Sequence, residues 1–170
     1  FSYINQKGKK DGLQYIGPGT TTYKQFWTWP YWNKNSYYLL TNTGIGESSS
    51  IKFRAYYDQF RNSLAIWDDP THSTMNLSSS ELSSYDDYTD GASSEFTTRL
   101  LPRNILSASV YFKDDVHRSQ DIYPAVSPFP KVYPQQRLRS QQVSIGLQDV
   151  ISLTSRLQVT FGFSADHLKG

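Results

Sequence analysis

Alternating apolar and polar residues predict an all-β fold in this chain, built from antiparallel up-and-down β-hairpins. Three times, two alternating stretches flank a tight turn, and loops of more than twenty residues separate these hairpins. Short turns at one end and long loops at the other are typical of outer-membrane barrels. We therefore predict that the hairpins form part of a transmembrane β-barrel.

The first hairpin is predicted over residues 36–45 and 50–60, with a turn at Gly46–Ser48. Because strand side chains alternate between faces, the two stretches separate into an apolar and a polar face. The apolar face holds Tyr37, Leu39, Thr41, Thr43, Ile45, Ile51, Phe53, Ala55 and Tyr57. The opposite face carries charge at Lys52 and Arg54, which suits a wet barrel interior.

The second hairpin is predicted over residues 93–101 and 105–113, and Pro102 sits in its turn, where no main-chain donor is needed. The third hairpin joins 141–151 to 157–166. The apolar faces hold Phe96, Leu100, Leu106, Ala108, Val110, Phe112, Val143, Ile145, Leu147, Leu157, Val159, Phe161 and Phe163. A half-buried strand of a soluble protein shows the same alternation, so a soluble β-sandwich or β-barrel is the alternative.

A further stretch, Phe1–Gln6, brings the number of predicted strands to seven. Single-chain bacterial membrane barrels have an even number of strands. We therefore expect residues 1–170 to be a single segment of about seven strands, taken from a larger receptor barrel.

The composition fits a sheet in which many strands are exposed on one side. Only 37% of the residues are hydrophobic, 15% are aromatic, and the mean hydropathy is −0.59. The formal net charge of +2 does not favour nucleic acid as a partner. No apolar run reaches the length of about eighteen residues that predicts a transmembrane helix. The absence of cysteine excludes disulfides and thiolate metal sites.

The first loop, residues 7–34, concentrates aromatic side chains. Trp27, Trp29, Tyr31 and Trp32 follow one another closely within it. Their faces either stack on a sugar or an aromatic ligand, or anchor the loop in a core or at the membrane interface. We take them as candidate ligand-binding residues.

The second loop, residues 62–91, is polar and acidic. Tyr85 and Tyr88 stand in it as further candidate ligand-binding residues. Its aspartates have the oxygen atoms that calcium prefers, and they are Asp68, Asp69, Asp86, Asp87 and Asp90. Their spacing does not match a calcium-binding EF-hand loop, so we predict solvated turn acids and no metal site.

The third loop, residues 114–140, is rich in proline, and Arg137 and Arg139 lie near its end. Extended proline-rich chain presents its side chains at little cost in conformational entropy. The two arginines are candidate contacts for an anionic ligand. The alternative is that they are solvated or contact lipid headgroups.

The sequence contains no catalytic motif. Its histidines stand apart from one another, and no metalloprotease, nucleophile-elbow or phosphate-loop pattern occurs. We therefore predict that the protein is not an enzyme and has no catalytic residues and no cofactor. Glycoside cleavage by carboxylates that converge in space, such as Glu81, Glu95 and Asp149, is the alternative.

Three segments resemble the barrel midsection of TonB-dependent outer-membrane receptors. They are Phe26–Leu39 (FWTWPYWNKNSYYL), Ile51–Asp58 (IKFRAYYD) and Ser84–Tyr88 (SYDDY). The order of strand, short periplasmic turn, outward strand and long acidic loop is similar over nearly the whole chain. The sequence has neither that family's energy-coupling box nor its plug, which agrees with a segment of a larger receptor.

This resemblance implies a protein of the bacterial outer membrane, in contact with its lipid, that binds a scarce nutrient and imports it with energy from the TonB complex. An iron–siderophore complex, cobalamin or a glycan would each suit as the nutrient. The resemblance also implies that the loop aromatics and Arg137 or Arg139 contact the ligand, and that Lys52, Arg54 and Asp58 line the lumen. The alternative function is a soluble glycan-binding module with the first-loop tryptophans as its stacking platform.

Overall fold

The computed structural model describes residues 1–12, 26–124 and 130–170. In these ranges all regular elements are strands of one antiparallel sheet. They are β1 (Ser2–Gln6), β2 (Lys10–Asp11), β3 (Phe26–Ile45), β4 (Ser49–Trp67), β5 (Glu81–Thr98), β6 (Asn104–Tyr123), β7 (Lys131–Val132), β8 (Gln136–Ser152) and β9 (Gln158–Lys169). The described residues contain no helix that is long and apolar enough to cross a membrane. The predicted all-β antiparallel architecture is confirmed.

The strands follow one another up and down in the order β1-β3-β4-β5-β6-β8-β9, and the two-residue strands β2 and β7 pair with β3 and β6. Short turns join β3 to β4, β5 to β6 and β8 to β9. All three turns lie at one end of the sheet, which we call the turn end, and the opposite end is the loop end. Gly46 takes a φ of +62° in the first turn, a conformation that glycine adopts without strain.

The predicted loop boundaries are wrong, because the strands are longer than the alternation predicts. β3 begins at Phe26 rather than at residue 36, and β6 continues to Tyr123 rather than ending at residue 113. The eight candidate ligand-binding residues predicted in loops therefore lie in strands, and they are Trp27, Trp29, Tyr31, Trp32, Tyr85, Tyr88, Arg137 and Arg139. Residues 13–25 and 125–129 of the predicted first and third loops lie outside the described ranges.

The parts of the strands near the loop end carry polar residues on both faces. In β4, for example, Arg61 projects to one side and Asn62 to the other, so the alternation of apolar and polar residues stops although strand pairing continues. Cross-strand pairs link this part: Arg61 lies 3.2 Å from Asp86, and His117 lies 2.7 Å from Asp87. A strand that is wet on both sides needs no apolar stripe, and this is why the pattern does not predict it.

Cross-strand register aligns the apolar residues of the three hairpins on one side of the sheet. Leu39 pairs with Ala55, Ala55 with Ala92, Ala92 with Phe112, and Phe112 with Val143. The apolar face so formed holds Tyr37, Leu39, Ile45, Ile51, Phe53, Phe96, Leu106, Val110, Phe112, Val143, Ile145, Leu147, Val159, Phe161 and Phe163. The polar face behind it holds Asn42, Lys52, Arg54, Ser93, Glu95, Ser107, Ser109, Gln142, Ser144, Gly146, Gly162 and Ser164.

No second layer covers the apolar face within the described residues. Leu39 is 44% exposed, Ile145 52% and Phe163 65%. The buried hydrophobic residues of the described chain are Ala65 and Val116, and both lie in the part of the sheet near the loop end. The sheet is therefore a single layer whose apolar side is open.

Candidate ligand-binding site

A β-bulge in β3 places three tryptophans on the polar face. The register of β3 against β4 shifts by one residue between Thr28 and Tyr31. The extra residue reverses the side to which the following side chains project, so Trp29 and Trp32 share a face despite their odd spacing. Pro30 lies in the bulge and lacks the N–H that a regular ladder needs.

The tryptophan platform consists of Trp27, Trp29, Trp32 and Phe60, with Lys10 beside them. The ring centroids of Trp27 and Trp29 are 6.4 Å apart, those of Trp29 and Trp32 are 6.2 Å apart, and both pairs meet edge to face. Trp32 meets Phe60 at 4.8 Å, and the Nζ atom of Lys10 lies 4.3 Å from the ring centre of Trp32. Half-buried indoles beside an ammonium group suit a flat ring or a sugar that also carries negative charge.

Tyr85 extends the tryptophan platform across the sheet. Trp32 pairs with Asn62, Asn62 with Tyr85, and Tyr85 with Ser119, so these residues share one row of the polar face. Two strand spacings, about 10 Å, separate Trp32 from Tyr85. The Tyr85 ring lies 5.8 Å from the imidazole of His117. Four of the eight predicted ligand-binding residues therefore lie on the polar face near the loop end.

The other four predicted residues lie on the same side of the sheet as the apolar face, between that face and the loop end. They are Tyr31, Tyr88, Arg137 and Arg139. Tyr88 stacks on Tyr57 at a centroid distance of 6.2 Å. Arg139 donates to both carboxylate oxygens of Asp114, at 2.8 Å from Nε and 2.7 Å from Nη2. Because the sheet separates the two groups, one small ligand does not contact all eight residues.

A tyrosine network on the polar face, nearer the turn end, was not among the predicted site residues. The hydroxyls of Tyr56 and Tyr111 are 2.9 Å apart, and the guanidinium of Arg54 lies 4.7 Å from the ring centre of Tyr56. The Tyr38 hydroxyl donates to Asp58 at 2.8 Å. These tyrosines occupy polar-face positions in strands whose residues alternate between apolar and polar. That alternation is the sequence signal by which they can be found.

The carboxylates considered for catalysis do not converge. Glu95 lies on the polar face and accepts a hydrogen bond from Lys52 at 2.9 Å, whereas Asp149 pairs with Phe161 on the apolar side. Glu81 begins β5 at the loop end. Over residues 1–12, 26–124 and 130–170, no group of three His, Cys, Asp or Glu side chains is placed to hold a metal ion.

Asp68 orders the connection between β4 and β5. Its carboxylate accepts hydrogen bonds from the backbone N–H of Asn76 at 2.6 Å and of Leu77 at 3.1 Å, and from the Ser80 hydroxyl. Desolvation alone would raise the pKa of Asp68, but these hydrogen bonds, led by the one from Ser80, lower the pKa to about 2. The connection is thereby held in shape next to Trp67, where β4 ends.

The variant Asp68→Asn is expected to loosen this connection. The pKa of Asp68 is lower in the folded than in the unfolded state, so its contribution to stability is constant from neutral pH to about pH 4. That contribution is lost as the pH falls through about 2. Hydrogen exchange at neutral pH, followed by mass spectrometry, should be faster at Asn76 and Leu77 in Asp68→Asn. Ser79→Ala, in the same connection, is the control, and equal exchange in the two variants would contradict the role of Asp68.

Comparison of the sequence with protein-family models gives no match, and comparison with curated proteins gives none either. A function for this chain therefore rests on its sequence, on the two faces of the sheet and on the tryptophan platform.

Proposed function

We propose that this chain is part of the membrane-spanning barrel of a TonB-dependent receptor in the bacterial outer membrane. The receptor binds a scarce nutrient, such as an iron–siderophore complex, and imports it. The observation that carries the proposal is an open apolar face on one side of the sheet and a polar face on the other. In this arrangement lipid covers the apolar face and the polar face lines the lumen. The resemblance of Phe26–Leu39 and Ile51–Asp58 to that family supports the same function.

The apolar face is costly to leave in water. Full burial of one Val, Leu, Ile or Phe side chain is worth about 1.5–3 kcal/mol. The exposed members of this face include Leu39, Ile45, Phe53, Phe96, Val110, Phe112, Val143, Ile145, Leu147, Phe161 and Phe163. A soluble sandwich needs a second sheet across such a face, and the described residues supply none. A lipid bilayer fits a single-layer sheet with a continuous apolar side.

Strand length supports a barrel that projects beyond the membrane. A strand of about 9–11 residues, tilted by about 45°, crosses the hydrocarbon layer. β3 and β6 have 20 residues each, and the apolar face occupies only the halves near the turn end. In the proposed orientation the turns face the periplasm, and the halves near the loop end stand outside the cell. The tryptophan platform then lies at the outer mouth of the lumen.

The edges of the sheet support a larger barrel. β1 and β9 stand at the two ends of the strand order, and within the described residues neither pairs with a further strand on its outer side. Unpaired main-chain groups are not tolerated in a membrane, and closure of the barrel removes them. We therefore assign the remaining strands, the plug and the contact with the TonB complex to other parts of the receptor.

Cysteine labelling in intact bacteria tests this location. The segment contains no cysteine, so one placed in the full-length receptor at Ser79 or at Ser155 is the only thiol in this region. A membrane-impermeant maleimide is expected to label Ser79→Cys in intact cells and Ser155→Cys only after the outer membrane is permeabilised. Equal labelling of both positions, with the protein in the soluble fraction, would overturn the proposal.

Removing one indole of the tryptophan platform is expected to weaken nutrient binding about tenfold, or about 1.4 kcal/mol. The variant is Trp29→Ala, which removes a stacking surface on the polar face. Tyr31→Ala, in the same strand but on the opposite side, is the matched control. Isothermal titration calorimetry of the full-length receptor with ferric siderophores, cobalamin and oligosaccharides measures the effect. Equal affinity of both variants for the class that binds would contradict the role of the platform.

The tryptophan platform by itself also favours a second candidate, a soluble glycan-binding module. Indole faces stack on sugar rings whether or not the sheet lies in a membrane. A full-length protein found in the soluble fraction, with oligosaccharide binding that Trp29→Ala abolishes, would support this module. The same outcome would exclude the receptor.

A further inference from the structure

An arginine patch lies on the same side of the sheet as the apolar face, between that face and the loop end. It consists of Arg61, Arg118, Arg137 and Arg139. Arg61 pairs in register with Asp86, and Arg118 pairs directly with Arg137. Arg139 pairs with Val116, one row nearer the apolar face. The tryptophan platform is on the other side of the sheet. The patch is therefore separated from a nutrient bound in the lumen.

Positive charge in the arginine patch is only partly neutralised. The carboxylates close to the arginine patch on this side of the sheet are Asp86, Asp90 and Asp114. Arg139 holds Asp114 with two hydrogen bonds, at 2.8 and 2.7 Å. Arg61 holds Asp86 at 3.2 Å, which leaves that carboxylate 3.9 Å from Arg118. Arg118 thus has one distant carboxylate, which Arg61 already engages, and Arg137 has none within 4 Å among the described residues.

The Arg118–Arg137 pair is incompletely neutralised. Like charges directly opposite each other in an antiparallel sheet are destabilising. In the described part of the chain, Arg137 forms no ion pair, and the Nε atom of Arg118 is shielded from solvent without a hydrogen-bond partner. The Arg118 guanidinium lies 5.0 Å from the ring centre of Tyr88, which keeps it on this side. Guanidinium groups bind phosphate oxygens with paired N–H donors.

The arginine patch lies outside the hydrocarbon layer, on its outer side, in the proposed orientation. Phe112 and Val143 form the last apolar row before it. Arg118 follows Phe112 by six residues along β6, which is about 20 Å of extended strand. With a strand tilt of about 45°, Arg118 stands about 14 Å above that row.

We propose that the arginine patch binds a phosphate group of an anionic lipid in the outer leaflet of the outer membrane. The lipid's acyl chains lie against the apolar face, and its phosphate bridges Arg118 and Arg137. This inference rests on the proposed function, because it needs a membrane beside the apolar face. It gives Arg137 a lipid partner and leaves the nutrient to the tryptophan platform.

Native mass spectrometry of the detergent-solubilised full-length receptor tests the arginine patch. The probes are bisphosphorylated lipid A and the same lipid after enzymatic removal of its phosphates. The phosphorylated lipid is expected to bind, and the double variant Arg118→Gln/Arg137→Gln to bind it about tenfold more weakly, or about 1.4 kcal/mol. Arg54→Gln removes one positive charge from the polar face, as Arg137→Gln does from the arginine patch, and should leave lipid binding unchanged. The single variant Arg137→Gln, at an exposed position, serves if the double variant does not fold.

Three outcomes would overturn this inference. Equal binding of the two lipids would mean that acyl contacts alone hold the lipid. Displacement of the lipid by excess inorganic phosphate would assign the patch to a free anion. A lipid affinity that Arg118→Gln/Arg137→Gln leaves unchanged would place the lipid elsewhere. A soluble receptor in the labelling experiment would instead overturn the proposed function, so the two failures are distinguishable.

Discussion

If the chain spans the outer membrane as proposed, the substitution Ile145→Arg is expected to lower the free energy of unfolding by about 2–4 kcal/mol. Ile145 is 52% exposed and pairs with Val110 and Ala165 in the middle of the apolar face. In the proposed barrel the new guanidinium group would lie in hydrocarbon, without an anion or water to bind. Urea titration of the full-length receptor refolded into lipid vesicles, followed by tryptophan fluorescence, measures the cost.

Ser144→Arg is the matched control, because it adds the same charge one residue earlier and on the polar face. Ser144 pairs with Asp166 and Tyr111, so an arginine there has a carboxylate opposite it. We expect a change within about 0.5 kcal/mol, as for most surface substitutions. If the two variants lose equal stability, or if neither loses any, the apolar face does not contact lipid.

The substitution Gly91→Ala is expected to lower the free energy of unfolding of the protein by about 1–3 kcal/mol, although alanine is usually better than glycine inside a strand. A Cβ atom at Gly91 would lie 2.6 Å from Cζ of Tyr56 and 2.7 Å from the backbone oxygen of Phe112. The Tyr56 ring can turn away only by giving up its hydroxyl contact with Tyr111. The backbone oxygen belongs to the sheet and cannot move independently. The same urea titration measures the effect.

Gly44→Ala serves as the control for Gly91→Ala, because no atom lies within 4 Å of a Cβ built at Gly44. We expect it to be neutral or to stabilise by up to about 1 kcal/mol. A double-mutant cycle with Tyr56→Ala separates the two contacts at Gly91. Removing the Tyr56 ring should recover part of the loss and leave the part due to Phe112. A Gly91→Ala variant as stable as Gly44→Ala would show that the sheet relaxes around the added methyl group.

The turn-end halves of the long strands are predictable from the sequence, and the loop-end halves are not. Residues 36–45 lie within β3 and residues 141–151 within β8. Apolar and polar residues alternate in both ranges because one side of each strand is apolar there. Farther along the same strands apolar and polar residues no longer alternate, and main-chain pairing, ion pairs and aromatic contacts maintain the sheet. Main-chain hydrogen bonding between strands requires no periodic pattern of side chains. These halves therefore resemble loops when the sequence is considered alone.

The side on which the tryptophans lie is not predictable by counting residues. Strict alternation backwards from Leu39 puts Trp29 on the apolar side and Trp32 on the polar side. The bulge at Pro30 reverses the side to which Trp29 projects, so Trp29 lies on the polar face together with Trp32. A proline inside an aromatic stretch permits a bulge, but the sequence does not say that one forms there.

The side of the two candidate arginines is predictable by the same counting. Arg137 and Arg139 keep the parity of Val143 and Ile145 along β8, which has no register shift against β6. Alternation carried backwards from the apolar residues therefore assigns both arginines to the same side of the sheet as the apolar face. The loop predicted over residues 114–140 interrupts this alternation, whereas β8 begins at Gln136 and includes both arginines.

Apart from the two-residue strands β2 and β7, every strand pairs with the next long strand of the chain. Such a sheet grows one hairpin at a time, because each new contact is local in sequence and costs little loop-closure entropy. During growth the newest strand offers its free edge to the strand that follows it. Pairing of the strands in chain order is thus sufficient to form the described sheet, with no distant partner to search for.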